Sequence, residues 1–513
     1  MWPQRMRLNI VLLLLPLLAL TACGDDDPPP AALGEACDAS LDKPCESGSC
    51  VDDGEGTDRC LSSSGGTCDP AADTSHCLSE LTCAEVEDGS HACYAPVFIE
   101  GIVRDSTDDA PIEGAHIIGL DEQKFAVTDV AVSDAEGNYS LAVPVVRNSE
   151  GAPVDTSFTL RADAQDYQTF PSGLRTALPI NTSTAQRMEG RDEDGWTISG
   201  TPTEVVLIPL PANAQGNPSI AGSVLAEDNN AGVLVVAAGA DRAYSAVTDR
   251  EGNYKIFNVP AGDYEVRGYA AGLQLVPEGA TVASDPVEDV DLSVSDEATA
   301  TLSGDVNIVN APGGAQTSVV LVVADTFDDT FVRGEVPPGL RAPRSGAPDV
   351  EGAWTIEGVP AGEYVVLAAF ENDDLVRDPD QNIAGTDFVT VTIDPAAGDT
   401  DVSLADSFKV TEALAVISPG PERPEMVSAA PTLEWADDSS EDFYTVEVYN
   451  AYGDLVWDND GQQVDRVTGN DTVSIDYGGP TEPGMYYQFR VKSWKGDSPI
   501  SATEDLRGVF YFE

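Results

Sequence analysis

Histidine is almost missing from this chain, whose 513 residues hold three, His76, His91 and His116. None opens an H-x-x-E or H-E-x-x-H pattern, which excludes the zinc hydrolases whose metal sits between two histidines one helical turn apart. No Gly-x-Ser-x-Gly elbow, phosphate-cradling loop or dinucleotide fingerprint occurs, so the common acyl-transfer and nucleotide chemistries have no motif to rest on. His116 falls in an expected strand with no Ser or Cys nucleophile beside it in the sequence, and an ordinary edge or half-buried histidine is the expectation. The chain is read as non-enzymatic and without a cofactor.

Positive charge is the second shortage. Lys and Arg number 26 against 89 Asp and Glu, a net charge of -63, and only six of the 26 are Lys. Nucleic acid and anionic lipid surfaces repel such a chain, while an acidic, Lys-poor surface suits a salty exterior where charges are screened within about 10 Å. Helical patterning is absent as well. Short runs such as Val233 to Ala237, Val319 to Val323 and Tyr364 to Ala368 are rich in β-branched residues and bounded by Gly, Pro or Asp. Together with 46 Gly and 35 Pro they predict an all-β chain dense in turns.

What is present begins at the N-terminus. Arg5 and Arg7 precede an apolar stretch from Ile10 to Leu20, and Leu20-Thr21-Ala22-Cys23 closes it. The basic start, the short apolar run and the small residues are what a secretory signal needs, and the run is too short for a stable membrane span. With Cys at its end the segment resembles the lipobox of bacterial lipoproteins. That resemblance implies cleavage before Cys23 and a diacylglycerol on its thiol, a multi-chain anchor that is effectively permanent at about 0.8 kcal/mol per buried methylene. Residues 1–22 are then the signal peptide, and 23–33, with Asp25 to Asp27 and Pro28 to Pro30, an extended acidic tether. Gly24 behind the lipidated Cys favours the outer membrane. Without the signal peptide the count is 24 basic to 89 acidic residues, a net charge of -65.

The eight remaining cysteines all lie before residue 94, as Cys37-x7-Cys45-x4-Cys50-x9-Cys60 and Cys68-x8-Cys77-x5-Cys83-x9-Cys93. The quartets are one unit written twice, and Cys37-Asp38 answers Cys68-Asp69. An even cysteine count in an exported segment poor in large apolar residues predicts a disulfide framework over 34–95, two bridges per quartet, with three pairings open in each. A zinc reading with His76 and His91 as added ligands lacks any C-x-x-C pair and belongs to a reducing compartment.

Beyond residue 96 an internal repeat appears. Asp249, Gly252, Tyr254, Ile256 and the turn Val259-Pro260-Ala261-Gly262-Asp263-Tyr264 recur as Asp349, Gly352, Trp354, Ile356 and Val359-Pro360-Ala361-Gly362-Glu363-Tyr364, and a reduced copy is Asp134, Gly137, Tyr139, Leu141. The Asp is expected to fold onto the backbone, the Gly to take positive φ, and the aromatic residue to start a strand whose partner opens after the Pro-Ala-Gly turn, so the motif reads as a hairpin. Upstream of each copy stands a matching strand, Gly101-Ile102-Val103, Gly222-Ser223-Val224 and Gly304-Asp305-Val306. With Phe98 to Asp105 and Pro111 to Ile117 the first unit resembles carboxypeptidase regulatory-like domains, transthyretin-like sandwiches related to Cna-B repeats. The resemblance implies three β-sandwiches at 97–210, 218–295 and 299–405 serving as spacer, stabiliser or binding platform. The first departs from it by lacking the Val-Pro-Ala-Gly turn and carrying an insertion from Arg147 to Thr156.

Residues 412–513 alternate differently. Tyr444, Val446, Val448, Tyr487, Phe489 and Val491 fall on inner faces at period two, behind Trp435. The segment resembles a fibronectin type III domain with Trp435 as the core residue of its second strand. Trp457 and Trp494 are candidate carbohydrate-facing aromatics, although Trp in such a sandwich commonly fills core or edge. Asp378, Asp380, Asn382 and Asp387 are a weak calcium candidate whose spacing lacks the EF-hand Gly and Glu. Arg333, Arg341 and Arg344 form a basic island that could dock an acidic partner or a second copy. The sum is a tandem all-β protein behind a disulfide-rich module, lipid-anchored in the cell envelope and extended as a serial rod, acting in adhesion or scaffolding toward an unknown protein or glycan. The alternative is an accessory subunit that holds a surface enzyme or secretion component at the membrane.

Overall fold

The computed structural model describes residues 29–512 except 54–55, 73–74, 79–80, 122, 189–194, 227–229, 241, 310–316, 345–347, 369–374, 377–387, 406–407, 439, 468–471 and 505. Strands and short 3-10 turns make up its regular structure, and no α-helix occurs among the described residues. The chain divides into two compact units, one of residues up to Cys83 with His91–Tyr94, the other of Ala84–Ser90 with Ala95–Glu513.

The first unit is built by its cysteines. Bonds join Cys37 to Cys50, Cys45 to Cys60, Cys68 to Cys83 and Cys77 to Cys93. Of the three pairings open to each quartet, both take first-to-third and second-to-fourth. Cys60 and Cys93 are fully buried, so sulfur replaces the apolar side chains that this stretch lacks. In the first knot Cys50 stands opposite Cys60 in the hairpin Ser49–Asp52 with Asp58–Leu61. The repeated Cys-Asp pair has a mechanical cause, since Asp38 Oδ1 accepts the Ser40 amide at 3.0 Å and Asp69 Oδ1 the Ala71 amide at 3.0 Å. These Asx-turns start the loops that the disulfides close. His76 is part of this local fold, its Nδ1 accepting the Asp69 amide at 3.2 Å.

In the second unit three segments share one plan. A central first strand, Val97–Asp105, Ile220–Leu225 or Ala300–Val309, pairs antiparallel with the strand that begins one residue before the motif aromatic and parallel with a strand from the segment's end. A second sheet faces it, centred on His116–Leu120, Leu234–Ala238 and Val319–Val323. The two sheets of each segment close over one core, with Ile99, Ile117, Leu141 and Leu160 in the first. The motif itself is not the hairpin its turn suggests. Asn253–Ile256 belongs to one sheet and Gly262–Tyr269 to the other, as do Ala353–Val359 and Gly362–Ala368. Val-Pro-Ala-Gly therefore lifts the chain across the sandwich. Tyr264 and Tyr364 then fold back, each hydroxyl donating to the carbonyl of its own Pro260 or Pro360 at 3.0 and 2.9 Å. In the first segment the insertion at Arg147 performs the same crossing between Asn138–Val143 and Ser157–Asp163.

The Asp turns behave as expected in two copies. Asp134 and Asp249 each accept two amides on Oδ1, and Gly137 and Gly252 sit at φ +78° and +87°. Gly352 does not adopt positive φ, so the third copy turns by another path.

The last segment packs the sheet Val416–Ser418, Thr432–Ala436, Thr472–Asp476 against one centred on Tyr486–Lys495 and Phe443–Asn450. Trp435, Tyr444, Val446, Val448, Tyr487, Phe489 and Val491 are all buried between them, on the faces that period two assigns. Trp457 and Trp494 are half-buried. The first meets Tyr477 edge-on and the second stacks on Phe443 and donates from Nε1 to Thr445.

Candidate binding cleft

The serial rod does not describe this unit, because sandwiches distant in sequence touch one another. Arg161, on the strand Ser157–Asp163 of the first sandwich, is the centre of that contact. Its Nε donates to Asp163 at 3.0 Å and its Nη1 to both oxygens of Glu335 at 3.0 and 3.1 Å. Its Nη2 donates to Ser245 Oγ and the Ser245 carbonyl at 3.1 and 3.3 Å. Ser245 lies in the second sandwich and Glu335 in an insertion of the third, so one guanidinium joins three sandwiches. Burial disfavours its charge, but the Asp163 and Glu335 carboxylates outweigh that cost and hold Arg161 more firmly protonated than usual.

Asn258 makes a second joint. It occupies the position that Gly358 holds in the next copy, and both adopt the left-handed conformation, at φ +60° and +74°. Asn258 Oδ1 accepts the Asp166 amide at 2.6 Å and Gln165 Nε2 at 2.9 Å, while Nδ2 donates to the carbonyls of Ala164 and Tyr167. Gly358 O accepts the Gly272 amide at 2.7 Å. The repeated turn thus docks each sandwich on its predecessor.

The insertion Ala324–Leu340 supplies further contacts. Asp328 closes it by accepting the Thr330 amide at 2.9 Å, and Phe331 is buried with Leu174 of the first sandwich and Val509 of the last. Arg333 donates to the carbonyls of Gly173 and Arg175, Arg490 of the last sandwich to Thr330 O, and Tyr452 to Pro209 O. Two members of the basic island are therefore engaged within the chain, Arg333 as stated and Arg341 with Ser318 at 3.0 Å. Arg344 is exposed.

These joints enclose a cleft of about 570 Å³ with residues of all four sandwiches in its walls. Five carboxylates line it, those of Asp163, Asp325, Asp328, Asp329 and Glu335, with the rings of Tyr167, Tyr244, Phe257, Phe331 and Tyr452 between them. Asp163 and Glu335 are committed to Arg161. Asp325 and Asp329 are exposed, as is Arg242 in the same lining. Burial raises the Tyr244 hydroxyl above its usual range. Such a wall offers hydrogen-bond acceptors and aromatic faces, which suits recognition of a polar ligand. His116 lies at the joint of the first two sandwiches with its ring edge-on to Phe257, centroids 5.0 Å apart. Burial and the nearby Lys255 lower its pKa, opposed by Asp163.

Sequence reasoning did not find Arg161, Glu335 or Asn258. A lone Arg inside the apolar strand of residues 157–163 was one available signal, and the alignment of Asn258 with Gly358 was another, since both residues tolerate positive φ. Cys23 and the calcium candidates Asp378, Asp380, Asn382 and Asp387 lie outside the described residues.

No family model and no curated protein matches the chain. Among solved structures, a Bacillus anthracis TIE protein aligns at 11% identity over 78% of this chain and 68% of its own, with a TM-score of 0.15. A streptococcal ancillary pilin aligns at 11% identity over 62% of this chain and 99% of its own, TM-score 0.15. The tandem repeats from the extending region of a large adhesion protein align at 12% identity over 80% and 98%, TM-score 0.11. Likeness at this level carries no argument about function.

Proposed function

We propose that this is a non-enzymatic, lipid-anchored protein of the cell envelope that presents a fixed β-sandwich platform to a protein or glycan partner. The observation that carries the reading is the Arg161 joint, which ties three sandwiches around a polar, aromatic cleft. Such ties set the cleft's shape before any partner arrives, and a preorganised surface loses less entropy on binding. The signal-like segment ending at Cys23 supports export and anchoring, and disulfides suit an oxidising exterior. The strong negative charge argues against nucleic acid as the partner.

Two measurements test this. Cys23→Ala should move the protein from the membrane fraction to the soluble fraction and abolish incorporation of labelled fatty acid; a variant that stays acylated and membrane-bound removes the anchor from the reading. A photo-crosslinker at Asp329, compared on intact cells with one at Asp285 on the second sandwich, should capture a recurring partner from the cleft position only. Equal yields from both positions would overturn the cleft's role. A single protein recovered at near-equal amounts would identify the accessory-subunit role.

A further inference from the structure

The four disulfides are not equivalent, and they divide in the same way in both knots. Cys45 and Cys60 are 7% and 0% exposed, and Cys77 and Cys93 are 2% and 0%, so the second-to-fourth bridge of each knot is closed to solvent. The first-to-third bridges, Cys37–Cys50 and Cys68–Cys83, are half-buried at both ends. Outer and inner bridge stand side by side. The sulfurs of Cys37, Cys45 and Cys60 all lie within 4.8 Å of one another, and those of Cys68, Cys77 and Cys93 repeat the arrangement.

Main-chain hydrogen bonds hold this closeness independently of the outer bridge. The Cys37 amide donates to the Asp58 carbonyl at 2.9 Å, and the Cys60 amide to the Glu35 carbonyl at 3.1 Å. In the second knot the Cys68 amide donates to the His91 carbonyl at 3.3 Å, and the Cys93 amide to the Gly66 carbonyl at 2.8 Å. Each reciprocal pair fixes the first cysteine of its quartet beside the fourth. Opening an outer bridge therefore leaves its first sulfur next to the inner one. Thiolate attack on a disulfide needs access and a sulfur within reach. The outer bridge has the access, and the inner bridge has the neighbour.

We propose that the outer bridges are the sites at which the chain takes up a small external thiol, and that Cys37 and Cys68 pass the opening on to the buried bridges. An incoming thiolate bonds to the Cys50 sulfur as a mixed disulfide, and the electron pair of the broken Cys37–Cys50 bond leaves on Cys37. That thiolate attacks the Cys45–Cys60 bond, forms a new bridge to one of its sulfurs and releases the other as a thiolate, which takes a proton from water. One sulfur–sulfur bond forms and one breaks at each step, so neither oxidant nor further reductant is consumed. Cys83, Cys68 and the Cys77–Cys93 bond play the same parts in the second knot. Asp38 follows Cys37 and Asp69 follows Cys68 in a chain of net charge -63, so the favoured thiol is one that carries positive charge.

Two single variants of the full-length protein isolate the transfer. Cys50→Ser and Cys37→Ser remove the same outer bridge and lose the same loop constraint, but only the first leaves a thiol beside the inner bridge. Each is alkylated with iodoacetamide at neutral pH, and the labelled peptides are mapped by mass spectrometry. Label on Cys45 and Cys60 should be at least about tenfold greater in Cys50→Ser, where the attack is intramolecular, than in Cys37→Ser, where Cys50 alone should react. Equal labelling of the inner cysteines in the two variants, or label on the remaining outer cysteine alone in both, overturns the proposal. The unaltered protein, given cysteamine or glutathione at equal thiolate concentration in low salt, should form mixed disulfides on Cys50 and Cys83 faster with cysteamine, and added salt should narrow the gap. Glutathione reacting as fast as cysteamine overturns the preference for a cationic thiol.

Discussion

Gly222 stands directly across the strand pair from Tyr254, and the Tyr254 hydroxyl donates to the Val290 carbonyl at 2.6 Å over the space where a Gly222 side chain would be. A Cβ at Gly222 would fall 2.0 Å from that same carbonyl oxygen. The first copy repeats the relationship with Gly101, Tyr139 and the Thr203 carbonyl, and the third pairs Gly304 with Trp354. The glycine of each first strand therefore leaves room for its aromatic neighbour, for the carbonyl that this neighbour bonds, or for both. Gly222→Ala is expected to destabilise the second sandwich by about 3 kcal/mol, because backbone rather than a movable side chain blocks the methyl. Tyr254→Phe should cost only ~1 kcal/mol through the lost hydrogen bond. Urea denaturation of the two variants tests the order, and equal costs would contradict it.

Much of this was legible because it is local. Alternation alone assigned Tyr444, Val446 and Val448 to the core, and the Asp134 and Asp249 turns follow from side chains that reach their own backbone. The Gly and aromatic positions of the repeat were both visible, but their pairing needs the sheet register. The supposed hairpin failed for a related reason. A type I turn with Pro and Gly joins strands equally well within one sheet or between two, and only packing of Tyr264 and Val266 in the core decides. The Arg161 joint draws on residues 84 and 174 positions away, and no pattern in one chain records such a meeting.

Reduction should separate the two units. The four disulfides close loops of 13 to 16 residues, each stabilising by about 3 kcal/mol in the loop-entropy account. Dithiothreitol is expected to unfold residues 34–83 while the cysteine-free sandwiches keep their protection. Hydrogen exchange read by mass spectrometry checks this, and uniform loss of protection across the chain would contradict it.

Acid should loosen the joint between the first two sandwiches. The His116 pKa is lowered in the folded chain relative to its ordinary value of 6.5, chiefly by burial. As pH falls through that ordinary value, the unfolded chain takes up the proton first, so stability is lost until the folded value is passed, and it is regained as pH rises. His116→Asn should flatten the fall in melting temperature between neutral pH and about pH 5. An unchanged slope in the variant would assign the acid sensitivity elsewhere.

Arg161→Met should do more harm than Glu335→Gln. The methionine leaves Asp163 and Glu335 close together without their cation, with Asp163 only 13% exposed, and removing one partner of a buried ionic group costs about 3–5 kcal/mol. Glu335→Gln keeps an oxygen that accepts from Arg161 and Ser245, and Asp163 still balances the charge, so the expected cost is about 1 kcal/mol. The insertion should then become the first site of protease cutting in the Met variant, since Glu335 is what holds it to the first sandwich at that point. Limited proteolysis with mapping of the new termini tests this. Cutting that begins in the last sandwich instead would show that Phe331 and Arg333, rather than Arg161, hold the insertion in place.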